Sequence, residues 1–410
     1  MNDEIFDLIR EEEQRQINGL EMIASENFTS KNVITAVGSC LMNKYAEGYP
    51  NRRYYGGCSV VDKVEILCQE RALELFELNP EDWGVNVQPL SGSVANLSTY
   101  GGLLEVGDNI SGLDLKNGGH LTHGFQTPKR KVSASARYYN SFPYHVKDDG
   151  YIDYDEMEEI VKTNNIKLLI IGYSAYPRDL DYKRCREIAD KYNCLLHCDM
   201  AHFSGLVAAK VLQNPFDYCD VITTTTHKTL RGPRGALIFF KNCFKTKINN
   251  SIFPGHQGGP FMHCIAGIAV ALKEANTQEY RDYIHQVVKN MVVFTEHLKQ
   301  YDYKFITDGT QNHLCLLDLK PLGLTGQYVE DLLQSVEITV NKNTVVGDTS
   351  ALKPNGLRIG SPALTSRGMK EQEFIQIAEW VYQIISDPSK KDEIREQVLN
   401  LAKQFPHPSL

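Results

Sequence analysis

The chain has 410 residues, with 43 basic against 51 acidic side chains and a formal net charge of −8. That balance argues against nucleic acid or an anionic membrane surface as the main partner. Hydrophobic residues at 42% and charged ones at 23% are those of a soluble globular protein with room for two or three domains.

The N-terminus, MNDEIFDLIREEEQRQ, has neither an apolar signal core nor transit character, and the longest apolar run, 265–272, falls short of a membrane span. Ten cysteines scattered through apolar stretches, as at Cys40, Cys185 and Cys315, suit a reduced cytosolic protein. Ile5, Leu8, Ile9, Ile17 and Leu20 predict an amphipathic helical arm. From about residue 80, short apolar strands alternate with helical periods. Strands are predicted at 167–172 (KLLIIG), 194–198, 221–226 and 235–240 (GALIFF), with Tyr182, Cys185, Ile188, Ala189 and Tyr192 on one face of a helix. That alternation predicts a mostly parallel, doubly wound sheet. A long helix over 280–298 leads to strand HLCLLDL, a helix near 327–334, strand EITVNK and a last helix over 369–385, a smaller α/β lobe.

In open parallel sheets, ligands sit at the carboxyl ends of strands. Here those ends carry Gly172, Tyr173 and Ser174, then Asp199 and His202 in DMAH, then His227 and Lys228 in TTTTHKTLRGPRG. Singly, each is an ordinary cap or surface charge; together they suggest a site. A partly desolvated Lys228 suits a Schiff base with an aldehyde cofactor. Pyridoxal phosphate also needs an acid at its ring nitrogen, and Asp199 lies 29 residues upstream (228 − 199). Its phosphate needs backbone N–H groups at a helix start, which Ser91, Gly92 and Ser93 supply ahead of VANLSTYGGLL. His120 and His123, in HLTH, offer rings for the cofactor face. No metal is expected. Cys194 and Cys198 alternate with His197 across a strand and lack a second half-site, and HLTH lacks the glutamate of a helical zinc motif. Lys129, Arg130 and Lys131 read as a solvated loop.

These segments belong to a longer series: MIASENFTS, NKYAEGYPNRRYYGG, NVQPLSGSVAN, GGHLTHG, SAYPRDLDY, DMAHFSGLVAA, TTTTHKTLRGPRG, FPGHQGGP, VNKNT and GLRIGSPALTSRG. In this order, across nearly the whole chain, the sequence closely resembles the serine hydroxymethyltransferase family. The resemblance implies an aspartate-aminotransferase-like, fold-type-I α/β architecture with a large seven-stranded sheet. The expected organisation is a helical arm over 1–35, a large cofactor domain over 36–278 and a small domain over 279–410.

It also implies a pyridoxal 5′-phosphate enzyme that converts serine and tetrahydrofolate reversibly to glycine and 5,10-methylenetetrahydrofolate. Lys228 would hold the cofactor as a Schiff base, with Thr225 and His227 beside it. Asp199 would pair with the ring nitrogen, His120 would stack on the ring, and Ser91, Gly92 and Ser93 would hold the phosphate. Ser174 and His202 would bond near the ring hydroxyl. Arg358, with Ser25, would take the substrate carboxylate, and Glu47 would move protons. Tyr45, Glu47, Tyr55, Gly258 and Gly259 would enter the site of a second subunit of an obligate homodimer or tetramer. Leu115, Gly119, His120, Leu121 and Asn343 would line the folate pocket. Two positions depart from the family pattern: Ala236 stands for glycine and His256 for an aliphatic residue. A folate-independent aldolase on the same scaffold would not need the folate residues. A silent RNA-binding homologue would lack Lys228, Glu47 or Arg358, and all three are present.

Overall fold

Short runs of aliphatic and β-branched residues build the central sheet. In the computed structural model, which describes residues 3–350 and 352–409, seven strands lie in the order Trp83–Asn86, Ala236–Lys241, Val221–Thr225, Leu195–Asp199, Leu168–Gly172, Asn109–Gly112 and Asn140–Ser141. Pairing is parallel from Val221–Thr225 out to Asn140–Ser141, while Ala236–Lys241 runs antiparallel to both neighbours. The reversal has a local cause: the link after Thr225 is too short for a helical crossover and can only fold straight back. The strands Leu168–Gly172 and Val221–Thr225 are buried throughout, as expected of a sheet covered on both faces.

The sheet belongs to one of two compact units, formed by Asn32–Ser174 with Asp179–Arg281. Four consecutive buried threonines would be costly there unless each hydroxyl found a partner. Each does. Thr223 Oγ1 donates to Asn96 Oδ1 at 2.6 Å, Thr224 Oγ1 to the Thr225 carbonyl at 2.9 Å, Thr225 Oγ1 to the Ala201 carbonyl at 3.3 Å and Thr226 Oγ1 to the Pro233 carbonyl at 2.6 Å. The last bond, with Gly232 N–H on the Thr226 carbonyl at 2.7 Å, closes the loop that carries His227 and Lys228.

The other unit comprises Met1–Lys31, Ala175–Arg178 and Asp282–Leu410. Its four-stranded antiparallel sheet runs Lys304–Phe305, Leu314–Asp318, Gly356–Gly360 and Asn341–Asn343. Leu20, Phe294, Leu317, Ile359, Phe374 and Val398 share one apolar core. Arg367, 4% exposed, has its guanidinium among backbone carbonyls: Nη1 donates to Gly19 at 2.9 Å, and Nη2 to Ile17, Ala402 and Phe405 at 2.9, 2.6 and 2.8 Å. A cation suits carbonyls left over at helix C-termini.

Several expectations are corrected here. Leu20 is not on the arm's helix, which spans Glu4–Asn18 and ends at an extended Gly19; it enters a short strand, Leu20–Glu21, parallel to Ile338–Thr339. The helix itself buries no residue, and Ile5, Leu8 and Ile9 stay 51, 59 and 45% exposed. The predicted strand over EITVNK is two strands, because Ile338–Thr339 and Asn341–Asn343 pair with different partners. The predicted last helix, Glu371–Ser386, is followed by another, Lys391–Gln404, which buries Ile394, Val398, Leu401 and Ala402. Among the described residues, no helix is long and apolar enough to cross a membrane.

Candidate active site

Register fixes the centre of the site. Asp199 is the last residue of its strand and pairs with Thr223 on the strand that leads to Lys228. Lys228 Nζ donates to Thr225 Oγ1 at 3.2 Å and is partly buried. The helix Gly92–Leu103 starts beside that threonine: a Cβ on Gly92 would lie 2.7 Å from Thr225 Cγ2, so the close approach requires glycine. Ser91 caps this helix, its Oγ accepting Val94 N–H at 3.4 Å.

A buried polar network surrounds Asp199. Its Oδ2 accepts Asn96 Nδ2–H at 2.8 Å and faces His123 Nε2 at 3.1 Å, and its Oδ1 accepts Ala201 N–H at 3.1 Å. The network also assigns tautomers. His123 Nδ1 accepts the His120 N–H, so Nε2 carries the hydrogen given to Asp199. Thr223 spends its hydrogen on Asn96, so His197 Nε2, 2.8 Å away, must donate to Thr223. Asn96 Nδ2 also donates to Thr122 Oγ1 at 2.8 Å, and Thr122 donates to His120 Nδ1 at 2.7 Å. Burial alone would raise the Asp199 carboxyl, but the hydrogen bonds from His123 and the Asn96 amide, with the two imidazoles turned towards it, hold it well below the usual carboxylate range. Burial lowers His120 to about 4, and lowers His227 to about 3 with help from Lys228 and Arg234.

The ligand atoms of His120, His123 and Asp199 lie within 4.8 Å of one another. His123 Nε2 and Asp199 Oδ2 already bond each other, and a cation between them would have to displace that bond. His197 is likewise committed to Thr223, away from Cys194 and Cys198. The arrangement offers an amine at Lys228, a buried carboxylate at Asp199 and the N–H groups of a helix start at Gly92. His227 Nδ1, buried without a partner among the described residues, adds an unused polar atom next to Lys228.

Other expected residues fall in four places. Leu115, Gly119, His120 and Leu121 lie in one stretch of short 3-10 turns, tied to a strand end by Ser174 N–H on the Gly118 carbonyl at 2.7 Å. His202 is buried, and its carbonyl accepts Thr229 Oγ1–H at 3.3 Å. Tyr45, Glu47, Tyr55, Gly258 and Gly259 form a separate cluster. The Tyr45 and Tyr55 rings lie 5.0 Å apart and are 56 and 45% exposed. A Cβ on Gly258 would sit 3.0 Å from Glu47 Oε1, and one on Gly259 3.1 Å from Tyr45 Cε1. The Glu47 charge raises the Tyr55 phenol above its ordinary value. In the smaller unit, Arg358 donates from Nε to Asn341 Oδ1 at 3.1 Å and from Nη2 to Ser25 Oγ at 3.2 Å. Burial lowers its guanidinium to about 10, against the pull of Glu26. Asn343 Nδ2 donates to the Thr344 carbonyl at 2.7 Å.

No motif in the sequence marks Asn96, Thr122, Thr223 or His197 as site residues, and HLTH does not tell which of its rings reaches Asp199. The available signal was polar side chains inside apolar elements, such as Asn96 within SVANLSTYGGLL. Of the two departures, Ala236 is fully buried opposite Thr225 and packs in the core. His256 is exposed, its Nδ1 2.8 Å from the Ser251 carbonyl. Lys129, Arg130 and Lys131 are exposed around a small hairpin.

A family model described as serine hydroxymethyltransferase matches residues 1–381. A Caenorhabditis briggsae protein named serine hydroxymethyltransferase is 50% identical over 417 residues, covering 98% of this chain and 82% of its own. Serine hydroxymethyltransferase 4 of Arabidopsis thaliana is 54% identical over 400 residues, 93% of this chain and 85% of its own. The protein of Oryctolagus cuniculus named serine hydroxymethyltransferase, cytosolic, is 48% identical over 427 residues, 98% and 88% respectively.

Proposed function

Since this chain belongs to the serine hydroxymethyltransferase family, we propose that it moves the hydroxymethyl carbon of serine to tetrahydrofolate, giving glycine and 5,10-methylenetetrahydrofolate reversibly. The observation that carries the reading is Asp199: a buried carboxylate on three donors, at a strand end next to the Lys228 loop. That donor set fits pyridoxal 5′-phosphate, which when bound supplies an electron sink for the charge left as the Cα–Cβ bond of the amino acid breaks.

On this reading the chain's own groups divide the work. Lys228 Nζ is the amine for the cofactor carbonyl, steadied by Thr225, while Ser91, Gly92 and Ser93 take its phosphate at the helix start. Asp199, held ionised by His123 and Asn96, would keep a proton on the ring nitrogen. His120, neutral at physiological pH, would lie against the ring face. His227 is neutral too, so it adds no charge beside the lysine. Ser174 and His202 serve the ring-hydroxyl side, and His202 also serves the substrate. Arg358 receives the substrate carboxylate in a bidentate fork, with Ser25 fixing one arm of the guanidinium. That grip orients the amino acid and so selects which bond at Cα breaks.

Glu47 holds or accepts the proton at the serine hydroxyl, assisted by Tyr55. Because exposed Tyr45, Tyr55 and Gly258 cluster with half-buried Glu47 and Gly259, we assign them to the site of a second copy of the chain, making a dimer the smallest active form. Leu115, Gly119, His120, Leu121 and Asn343 take the folate. The ten free cysteines favour a reducing compartment, and we place the enzyme in the cytosol.

Purified protein given serine and tetrahydrofolate should form glycine, and reconstitution with pyridoxal phosphate should give a visible absorption band. Lys228→Ala should lose both. A protein that gains no band, or a Lys228→Ala variant at full rate, refutes the proposal.

A further inference from the structure

Glu47 stands at the base of a tight hairpin, Gly48–Tyr49 paired with Arg52–Arg53. Its own carbonyl accepts Tyr54 N–H at 3.0 Å. Gly48 has φ +94, and a Cβ there would lie 2.4 Å from the Arg52 carbonyl oxygen, so no other residue fits this turn.

Behind the hairpin lies Arg53, its side chain 3% exposed. Its Nη1 donates to the two carbonyls that flank Glu47, Ala46 at 2.9 Å and Gly48 at 2.8 Å. Its Nε donates to Asp62 Oδ1 at 2.8 Å and its Nη2 to Glu65 Oε2 at 2.6 Å. Both acids are tied in turn. Asp62 Oδ2 accepts Asn51 N–H at 3.0 Å, and Gln88 Nε2 donates to Glu65 Oε1 at 2.8 Å and to the Gly48 carbonyl at 2.9 Å. One guanidinium therefore links the backbone on either side of Glu47 to two acids on the helix Ser59–Leu75.

We infer that Arg53 is a positioning residue for Glu47, fixing the carboxylate through the carbonyls before and after it. Stability does not explain the arrangement, because well-packed apolar residues stabilise a buried site about as well as a desolvated ion cluster does. What the cluster provides is direction. A planar fork fixes two carbonyls and two carboxylates in one geometry, whereas a lysine ammonium has three donors on a flexible stem. A general acid or base misplaced by about 1 Å loses on the order of 100-fold in rate.

The inference rests on the proton-transfer role given to Glu47, and a double-mutant comparison separates the two. In serine-to-folate turnover, Glu47→Gln should lose on the order of 10²- to 10⁴-fold in kcat, and Arg53→Lys on the order of 100-fold, with the visible cofactor band kept in both. Added to Glu47→Gln, Arg53→Lys should cost little more, within about threefold, because its effect passes through a carboxylate already removed. The pH–kcat profile of Arg53→Lys should also move on the limb that Glu47→Gln abolishes, a change that general loosening does not produce. Should Arg53→Lys not fold, Asp62→Asn, which weakens the support of the guanidinium, should give a smaller loss that likewise vanishes in the Glu47→Gln background. Losses that multiply in the double variant overturn the inference while leaving Glu47 its role. Full activity in Glu47→Gln overturns both.

Discussion

His197 gives a prediction whose size follows from the hydrogen-bond network. The residue is fully buried in mid-strand, its ring 5.7 Å from that of Tyr100. Thr223 fixes its tautomer and leaves Nδ1 without a partner among the described residues. Protonating Nδ1 would put an unpaired donor and a charge into the core, so burial lowers the ring to about 3, against the pull of Asp199. The folded value lies below the unfolded one, near 6.5. The neutral ring's contribution is therefore present above about pH 6.5 and is lost as pH falls towards the folded value. Between pH 7 and pH 5 the loss is about 2 kcal/mol. His197→Gln keeps an amide donor for Thr223 and removes the titration. Urea unfolding at both pH values, at fixed protein and cofactor concentration, should show wild type losing about 2 kcal/mol more than the variant on acidification. His120 and His227 titrate in both proteins and cancel. Equal losses would refute the assignment of His197 as a buried neutral ring.

Gly92→Ala places a methyl carbon 2.7 Å from Thr225 Cγ2, which should push apart the helix start and the lysine loop. The dissociation constant for pyridoxal phosphate, read from the visible band, should rise by about tenfold or more; an unchanged value would remove the phosphate role from this helix. Mixing Lys228→Ala and Glu47→Ala chains should restore turnover, since each hybrid dimer holds one intact site, or about a quarter of all sites in an equal mixture. No recovery would return Glu47 to its own chain's site.

How much of this was legible in the sequence depended on the kind of interaction. Strands such as Leu168–Gly172 and Val221–Thr225 announced themselves because burial on both faces demands unbroken apolar or β-branched runs. That Lys228 and Asp199 would lie beyond neighbouring strand ends was legible because a strand's end can be read from where its apolar run stops. The helix Lys391–Gln404 was not, since its four buried residues are spaced among charges that solvate its outer face. Leu20 looked helical because apolar spacing cannot say where hydrogen bonding stops, and an extended Gly19 stops it. The network behind Asp199 was hidden for a different reason. Asn96, His123, His197 and Thr223 lie far apart in the chain, and only strand register and the helix position bring them together. The acids around Arg53 look, in sequence, like the ordinary charges of a surface helix.

The carbonyls gathered by Arg367 come from residues 17–19 and 402–405, near opposite ends of the chain. Mechanically, this side chain is a clasp on a loop of nearly four hundred residues. Tension applied at the two ends would load its hydrogen bonds before reaching the polypeptide enclosed between them.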